Sequence, residues 1–293
     1  MGENRRLGLV ALFTTIFCFG TLWTAAKISV DHLPPLWFTA GRFAIGAIFV
    51  TIVLKCQGRF KIPERADIPI ILSVGGIMLG LYSSIFQNAL EFVHAGRATV
   101  LGYTTAIFVT PVAVLFLGEK LSWLKASGLV SAIIGFLILF SPGEMDWSDH
   151  QVLIGNGLIV LCVILWSCVI LHLRLHRQVS DTLSLVPWYL VVSCLVATTS
   201  ALIFEGPPVF EISNIGLGLF LYGGIVCSGI GNWGVTTAIL YLPATTSTVG
   251  LLGVPVFAMI LSILFLGEPL TILLAIALIL IVGGIAAVTI SQS

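Results

Sequence analysis

Charge is what this sequence has least of. Only 9% of its 293 residues are Asp, Glu, Lys or Arg, while 58% are apolar; a typical soluble domain carries roughly 25% charged residues. So few charges cannot cover the surface of a water-soluble fold of this length, which leaves lipid as the solvent for most of the chain. The net charge is zero, so no basic field points to nucleic acid as a partner. Nor is there a CxxC pair. Cys18, Cys56, Cys162, Cys168, Cys194 and Cys227 are scattered, all but Cys56 in apolar stretches. They read as small packing residues, not as a disulfide framework or a zinc site. HExxH, GxSxG, P-loop and paired mid-span carboxylates are all missing, which speaks against an enzyme and leaves no cofactor or metal to expect. No charged or carbonyl-lined filter of the kind a channel uses stands out.

What is present is a series of apolar runs, each close to the roughly 20 residues needed to cross hydrocarbon. They fall at 7–28, 36–55, 68–90, 97–117, 122–141, 152–173, 183–204, 215–238, 244–265 and 271–290. Turn residues and charges punctuate them, as at Pro34-Pro35, Gln57 to Asp67 and Gly267-Glu268-Pro269. The joins near Glu91 to Arg97 and at Pro243 are the least marked. The fold class expected is therefore all-α integral membrane, with about ten transmembrane helices. The first run, after MGENRR, reads as a retained helix and not as a cleaved leader. With the N-terminus in the cytoplasm, ten of the 13 Lys and Arg residues fall on the cytoplasmic side. That bias predicts that both termini are cytoplasmic.

The chain also repeats itself. FLGEKL at 116–121 recurs as FLGEPL at 265–270, an offset of 149 residues. The same offset pairs Ala89 with Ala238, Thr99-Val100 with Thr248-Val249, Phe108 with Phe257 and Gly135 with Gly284. At the start of each half, a shift of about two residues sets Phe19-Gly20 against Trp166-Ser167 and Lys27 against Arg174. Residues 1–145 and 146–293 thus read as two five-helix repeats. Five is odd, so the second repeat enters the membrane the other way up. Inverted repeats of this kind place a solute site at their interface near the midplane.

The residues that carry a family likeness are FGTLWTAAK at 19–27, LPPLWFTAGRF at 33–43, ALEFVHAGRA at 89–98, VLFLGEKLS at 114–122 and the stretch 238–271. With these the chain resembles the EamA-type branch of the drug/metabolite transporter superfamily over its whole length. Phe19 stands where that family often has Trp, and Ala106 where the repeat predicts a proline like Pro255, with Pro111 appearing instead. The resemblance implies a ten-helix carrier of the bacterial cytoplasmic membrane, often an exporter of amino acids or related metabolites. Import or exchange of another metabolite, such as a nucleotide, polyamine or drug-like cation, stays open. The expected partners are a small-molecule substrate and the lipid bilayer; a homodimer is compatible but not required.

Repeat symmetry selects the candidate site. The third helix carries Ser83, Ser84, Gln87 and Asn88, and the offset lands on Asn232, Trp233, Thr236 and Thr237 of the eighth. Ser83 and Gln87 share a helical face, as do Asn232 and Thr236. A side-chain amide in hydrocarbon needs partners, so it faces protein or a wet cavity; helix–helix glue is the competing reading. Tyr103 and Thr248 sit on the fourth and ninth helices. Trp23 and Trp166, on the first and sixth, would line an amphipathic cavity or pack against lipid. The candidate substrate-binding set is Trp23, Ser83, Gln87, Tyr103, Trp166, Asn232, Trp233, Thr236 and Thr248. Pro111 and Pro255 are candidate hinges, with static kinks as the alternative. Arg42, two turns into the second helix, reads as structural, paired with a carboxylate such as Asp31 or holding backbone carbonyls. Lys27 reads as snorkelling to the interface. Glu119 and Glu268 are expected to cap the helix that follows each. No Asp or Glu lies near the middle of any span, an absence that argues for facilitated export or exchange over proton coupling.

Overall fold

The computed structural model describes residues 2–116, 121–141, 145–176, 178–208 and 211–290. Among these residues there is no strand, and nine helices are long and apolar enough to cross a membrane. In chain order the helices are α1 (Gly2–Val30), α2 (Pro35–Cys56), α3 (Arg65–Ala89), α4 (Ala95–Phe116), α5 (Trp123–Leu139), α6 (His150–Leu175), α7 (Thr182–Phe204), α8 (Asn214–Tyr241), α9 (Thr246–Leu266) and α10 (Ile272–Ile290). The exception in length is α5, with 17 residues, at the short end of what spans hydrocarbon. The poorly marked joins are real: a single tight turn links α3 to α4, and Pro243 stands at the N-cap of Ala244–Leu251, the helical segment with which α9 begins. The protein is an all-helical, multi-pass membrane protein.

Helices pack in an interchanged pattern. α1 lies against α8 and α9, while α6 lies against α3 and α4. The first helix of each half is thus inserted among the third and fourth helices of the other half. α2 pairs with α7, and α5 with α10. Without a hydrophobic drive between helices in lipid, such pairs depend on close backbone approach. A Cβ at Gly224 would come within 2.5 Å of Ile45 Cβ, and one at Gly80 within 2.9 Å of Val196 Cβ. These two contacts set α8 on α2 and α3 on α7.

The same regions widen. Over Leu72–Leu81 in α3 and Tyr222–Ile230 in α8 the backbone adopts i→i+5 bonding, a wide turn that recurs at functional segments. Both lead directly into the polar stretches of those helices. A second paired irregularity breaks α4 and α9. The first runs as Ala95–Gly102 and Thr105–Phe116, the second as Ala244–Leu251 and Gly253–Leu266. Tyr103 and Leu252, where the breaks fall, are 149 residues apart. In α9 the cause is Pro255, which lacks an N–H and crowds the carbonyl four residues earlier. In α4 the equivalent residue is Ala106. There the Tyr103 N–H is shared between the Thr99 and Val100 carbonyls, and the Thr104 hydroxyl donates to the Leu101 carbonyl at 2.6 Å. The helix runs on past Pro111. The bend expected at that proline therefore lies about two turns before it.

Candidate functional site

A cavity of about 280 Å³ opens among α1, α2, α3, α4, α6, α8 and α9. Its wall is built from equivalent positions of the two halves. Leu79 and Ser228, Ser83 and Asn232, Phe86 and Val235, and Gly102 and Leu251 are all separated by 149 residues and all line it. Phe19 and Trp166, paired by the shorter offset at the start of each half, line it too. Each pair lies on a helix face that the interchanged packing turns inward.

Aromatic rings form much of the surface. Trp23 packs on Phe86 with ring centroids 4.4 Å apart, Tyr82 stacks on Phe86 at 5.5 Å, and Trp166 meets Tyr82 edge-on at 5.0 Å. Polar groups are few and placed. Gln87 Nε2 donates to the Ala26 carbonyl at 2.8 Å and to Ser29 Oγ at 3.0 Å, tying α3 to α1. Asn232 Nδ2 donates to the Ser228 carbonyl one turn back, at 2.8 Å. Trp23 Nε1 is buried and has no hydrogen-bond partner.

Of the nine candidates, Trp23, Ser83, Gln87, Tyr103, Trp166 and Asn232 stand on this wall. Trp233, Thr236 and Thr248 do not. Trp233 packs between α1 and the α2–α7 pair. The Thr236 hydroxyl donates to the Asn232 carbonyl at 2.8 Å, and Thr248 is exposed. Pro111 and Pro255 lie off the wall as well.

Arg42 lines the cavity, which its reading as a purely structural residue did not anticipate. Its side chain meets neither Asp31 nor a backbone carbonyl. Nη1 donates to Ser228 Oγ at 3.2 Å, and the guanidinium carbon lies 4.0 Å from the Phe43 ring centroid. Tyr82 and Ser228 also line the cavity without having been candidates. The available signal for Arg42 was its depth in the helix; for Ser228, its register one turn before Asn232.

The carboxylates at the helix joins differ from expectation. Glu268 does not cap α10, which Thr271 Oγ1 caps by accepting from the Leu274 N–H at 3.0 Å. Ser122, 149 residues earlier, does the same for α5. Glu268 instead reaches the start of α4 in the other half. Its two oxygens accept from the Ala95 and Gly96 N–H groups at 2.7 and 2.9 Å, with His94 Nδ1 at 3.7 Å. Glu205 holds the start of α2 alike, from the Leu36 and Trp37 N–H groups at 2.7 and 3.1 Å. Burial pushes the Glu268 carboxyl up, but the hydrogen bonds from His94, Gly96 and Ala95 outweigh it and hold the group below its ordinary 4.5. For Glu205 burial wins over its two backbone donors and the carboxyl titrates above 4.5. Glu119 lies outside the described residues. Lys27, expected to snorkel, donates to the Leu90 and Val93 carbonyls beyond the end of α3, where a cation meets the negative end of the helix.

Comparison with known proteins agrees with this architecture. The model of the EamA-like transporter family matches the chain twice, over residues 6–141 and 153–290. The uncharacterized transporter YoaV of Bacillus subtilis is 27% identical, covering 94% of each chain. A probable terminal-alkyne amino-acid exporter of Streptantibioticus cattleyicolor is 22% identical, over 88% of this chain and 85% of the relative. A solved structure titled only as the crystal structure of a protein superposes with a TM-score of 0.67 at 21% identity, over 97% of this chain and 96% of that one. At that identity the likeness speaks for the fold.

Proposed function

The chain belongs to the EamA-like transporter family, and from that premise we propose that it is a secondary carrier exporting an amino acid or a related small metabolite by alternating access. The observation that carries the reading is the central cavity walled by equivalent positions of both halves. Two half-molecules of opposite orientation, here residues 1–145 and 146–293, can exchange conformations, and the exchange moves an opening from one face to the other. The paired breaks in α4 and α9 and the paired wide turns in α3 and α8 supply bending points in both halves. An amino-acid substrate is supported by the name of the Streptantibioticus cattleyicolor relative and by the mixed aromatic and amide lining. On this reading the protein sits in the bacterial cytoplasmic membrane with both termini inside, the side that collects ten of the 13 basic residues.

The test is counterflow in proteoliposomes loaded with neutral amino acids, polyamines, nucleosides or nucleotide sugars, with and without a pH gradient. Saturable exchange of amino acids, reduced at least about tenfold in Asn232→Ala, is the expected result. Exchange confined to another solute class would overturn the substrate, and no exchange of any solute by folded protein would overturn the carrier.

A further inference from the structure

Among the described residues, Arg42 is the one charged side chain on the cavity wall, and no acid stands beside it there. Its residue is only 7% exposed. Burying a guanidinium away from water is costly unless an opposite charge and hydrogen-bond acceptors compensate it. The protein supplies little of either. Nη1 has the Ser228 hydroxyl, Phe43 offers a ring face, and Nε is buried with no partner. Among the described residues, no Asp or Glu lies within salt-bridge distance of the guanidinium. A second donor on the same wall, Trp23 Nε1, is also buried and unpaired. Unsatisfied buried donors are rare in folded proteins, and two around one cavity point to an acceptor that arrives from outside.

From this we propose that Arg42 is the anchor for a substrate carboxylate, so that the cavity takes a monocarboxylate whose apolar, flat body lies against the Trp23, Phe86, Tyr82 and Trp166 rings. The proposal rests on the carrier reading above and names the substrate class of that same cavity. A guanidinium pairs with a carboxylate through two parallel N–H···O bonds, which Nε and a terminal nitrogen present in the required fork. One cation neutralises one charge, so a dianion would carry an uncompensated charge into the cavity. Seven of the twenty lining residues are aromatic, which gives the other end of the solute an apolar surface to cover. Amide oxygens remain for a second polar group. The bonds that Gln87 and Asn232 make are through their nitrogens, so each keeps its oxygen as an acceptor. An α-ammonium fits the set without being required by it.

The test compares solutes that share one ring and differ in charge: 3-phenylpropionate, phenylalanine, 3-phenylpropionamide, phenethylamine and phenylsuccinate. Binding to the purified wild-type protein is read from quenching of intrinsic tryptophan fluorescence, and Arg42→Lys and Arg42→Gln are titrated alongside after a check for monodisperse elution. The two monocarboxylates are expected to bind about tenfold or more tighter than the amide, the amine and the dianion. Arg42→Gln should bring the acid-to-amide ratio to about one, and Arg42→Lys should keep part of it. The proposal is overturned if wild-type protein binds the amide as tightly as the acid, a comparison that needs no variant, or if the preference survives in folded Arg42→Gln. Counterflow separates the two readings: carboxylate-selective binding without transport would refute the carrier and leave the anchor, whereas transport indifferent to the carboxylate would refute the anchor and leave the carrier.

Discussion

Gln87 does more for this structure than its place on a cavity wall suggests. Its amide nitrogen closes two bonds to α1, and without it the Ala26 carbonyl and the Ser29 hydroxyl keep only their bond to each other, with nothing tying them to α3. Gln87→Leu should lower stability by about 1–3 kcal/mol, seen as a lower melting temperature in detergent, whereas Trp23→Phe removes an unpaired N–H and keeps an aromatic, though smaller, side chain. That variant should lose less stability than Gln87→Leu while binding a carboxylate solute more weakly. Glu268 gives a pH-dependent test. Its pKa in the fold is depressed, so its two bonds to α4 stabilise the protein above the ordinary 4.5 and are lost as pH falls through the lower folded value. The melting temperatures of wild type and Glu268→Gln should therefore differ at neutral pH and converge as the medium is acidified. The raised Glu205 carries the opposite sign: what its titration contributes is present at low pH and is lost as pH rises through its folded value. At this scale the sequence was only partly legible. Asn232 and Gln87 announce themselves because an amide in an apolar run must be satisfied. Thr236 looks equivalent to them, yet it stands off the wall, its hydroxyl satisfied by its own preceding turn, an option every helical Ser and Thr has. Arg42 was visible as a charge at depth, but that no counter-ion meets it among the described residues is a property of the assembled wall.

Among the elements, the helices were legible to within about five residues at each end because lipid demands long apolar runs and leaves short joins to mark their ends. Local irregularities were not. Nothing in the composition of α3 or α8 separates a glycine-rich α-helix from one that widens over Leu72–Leu81 or Tyr222–Ile230. Proline misdirects in α4: Pro111 is accommodated, and the break falls where the Tyr103 N–H is split between the Thr99 and Val100 carbonyls and the Thr104 hydroxyl turns back to Leu101. The close α2–α8 contact yields a prediction. Gly224→Val would drive a side chain into Ile45 and the Arg42 carbonyl, so it should destabilise the fold by about 1–3 kcal/mol. Gly157→Ala, in α6 with open space around it, should be neutral or slightly stabilising, by up to about 1 kcal/mol. Melting curves of the two variants side by side decide the matter.

For the whole molecule, the offset of 149 was readable from FLGEKL and FLGEPL, which agree at five of six positions, whereas the way the helices interlock was not. Sequence similarity says that two units are alike; it does not say which helix of one lies against which helix of the other. The exchange mechanism predicts reciprocal access. In a background without the native cysteines, Ser83→Cys and Asn232→Cys should be labelled by a membrane-impermeant thiol reagent from either face in turn, with substrate shifting the balance. Residues closed to reagent from both faces under every condition would count against alternating access. The interchange of α1 and α6 also bears on how the chain is made. α1 is the first helix to leave the ribosome, but its partners α8 and α9 begin more than 200 residues later. During that interval its inward face must be sheltered by lipid, by the insertion machinery or by a temporary neighbour. Assembly is therefore a late event governed by long-range closure, and a truncated product lacking the last three helices would hold an orphaned first helix, a mark by which membrane quality control can recognise an unfinished copy.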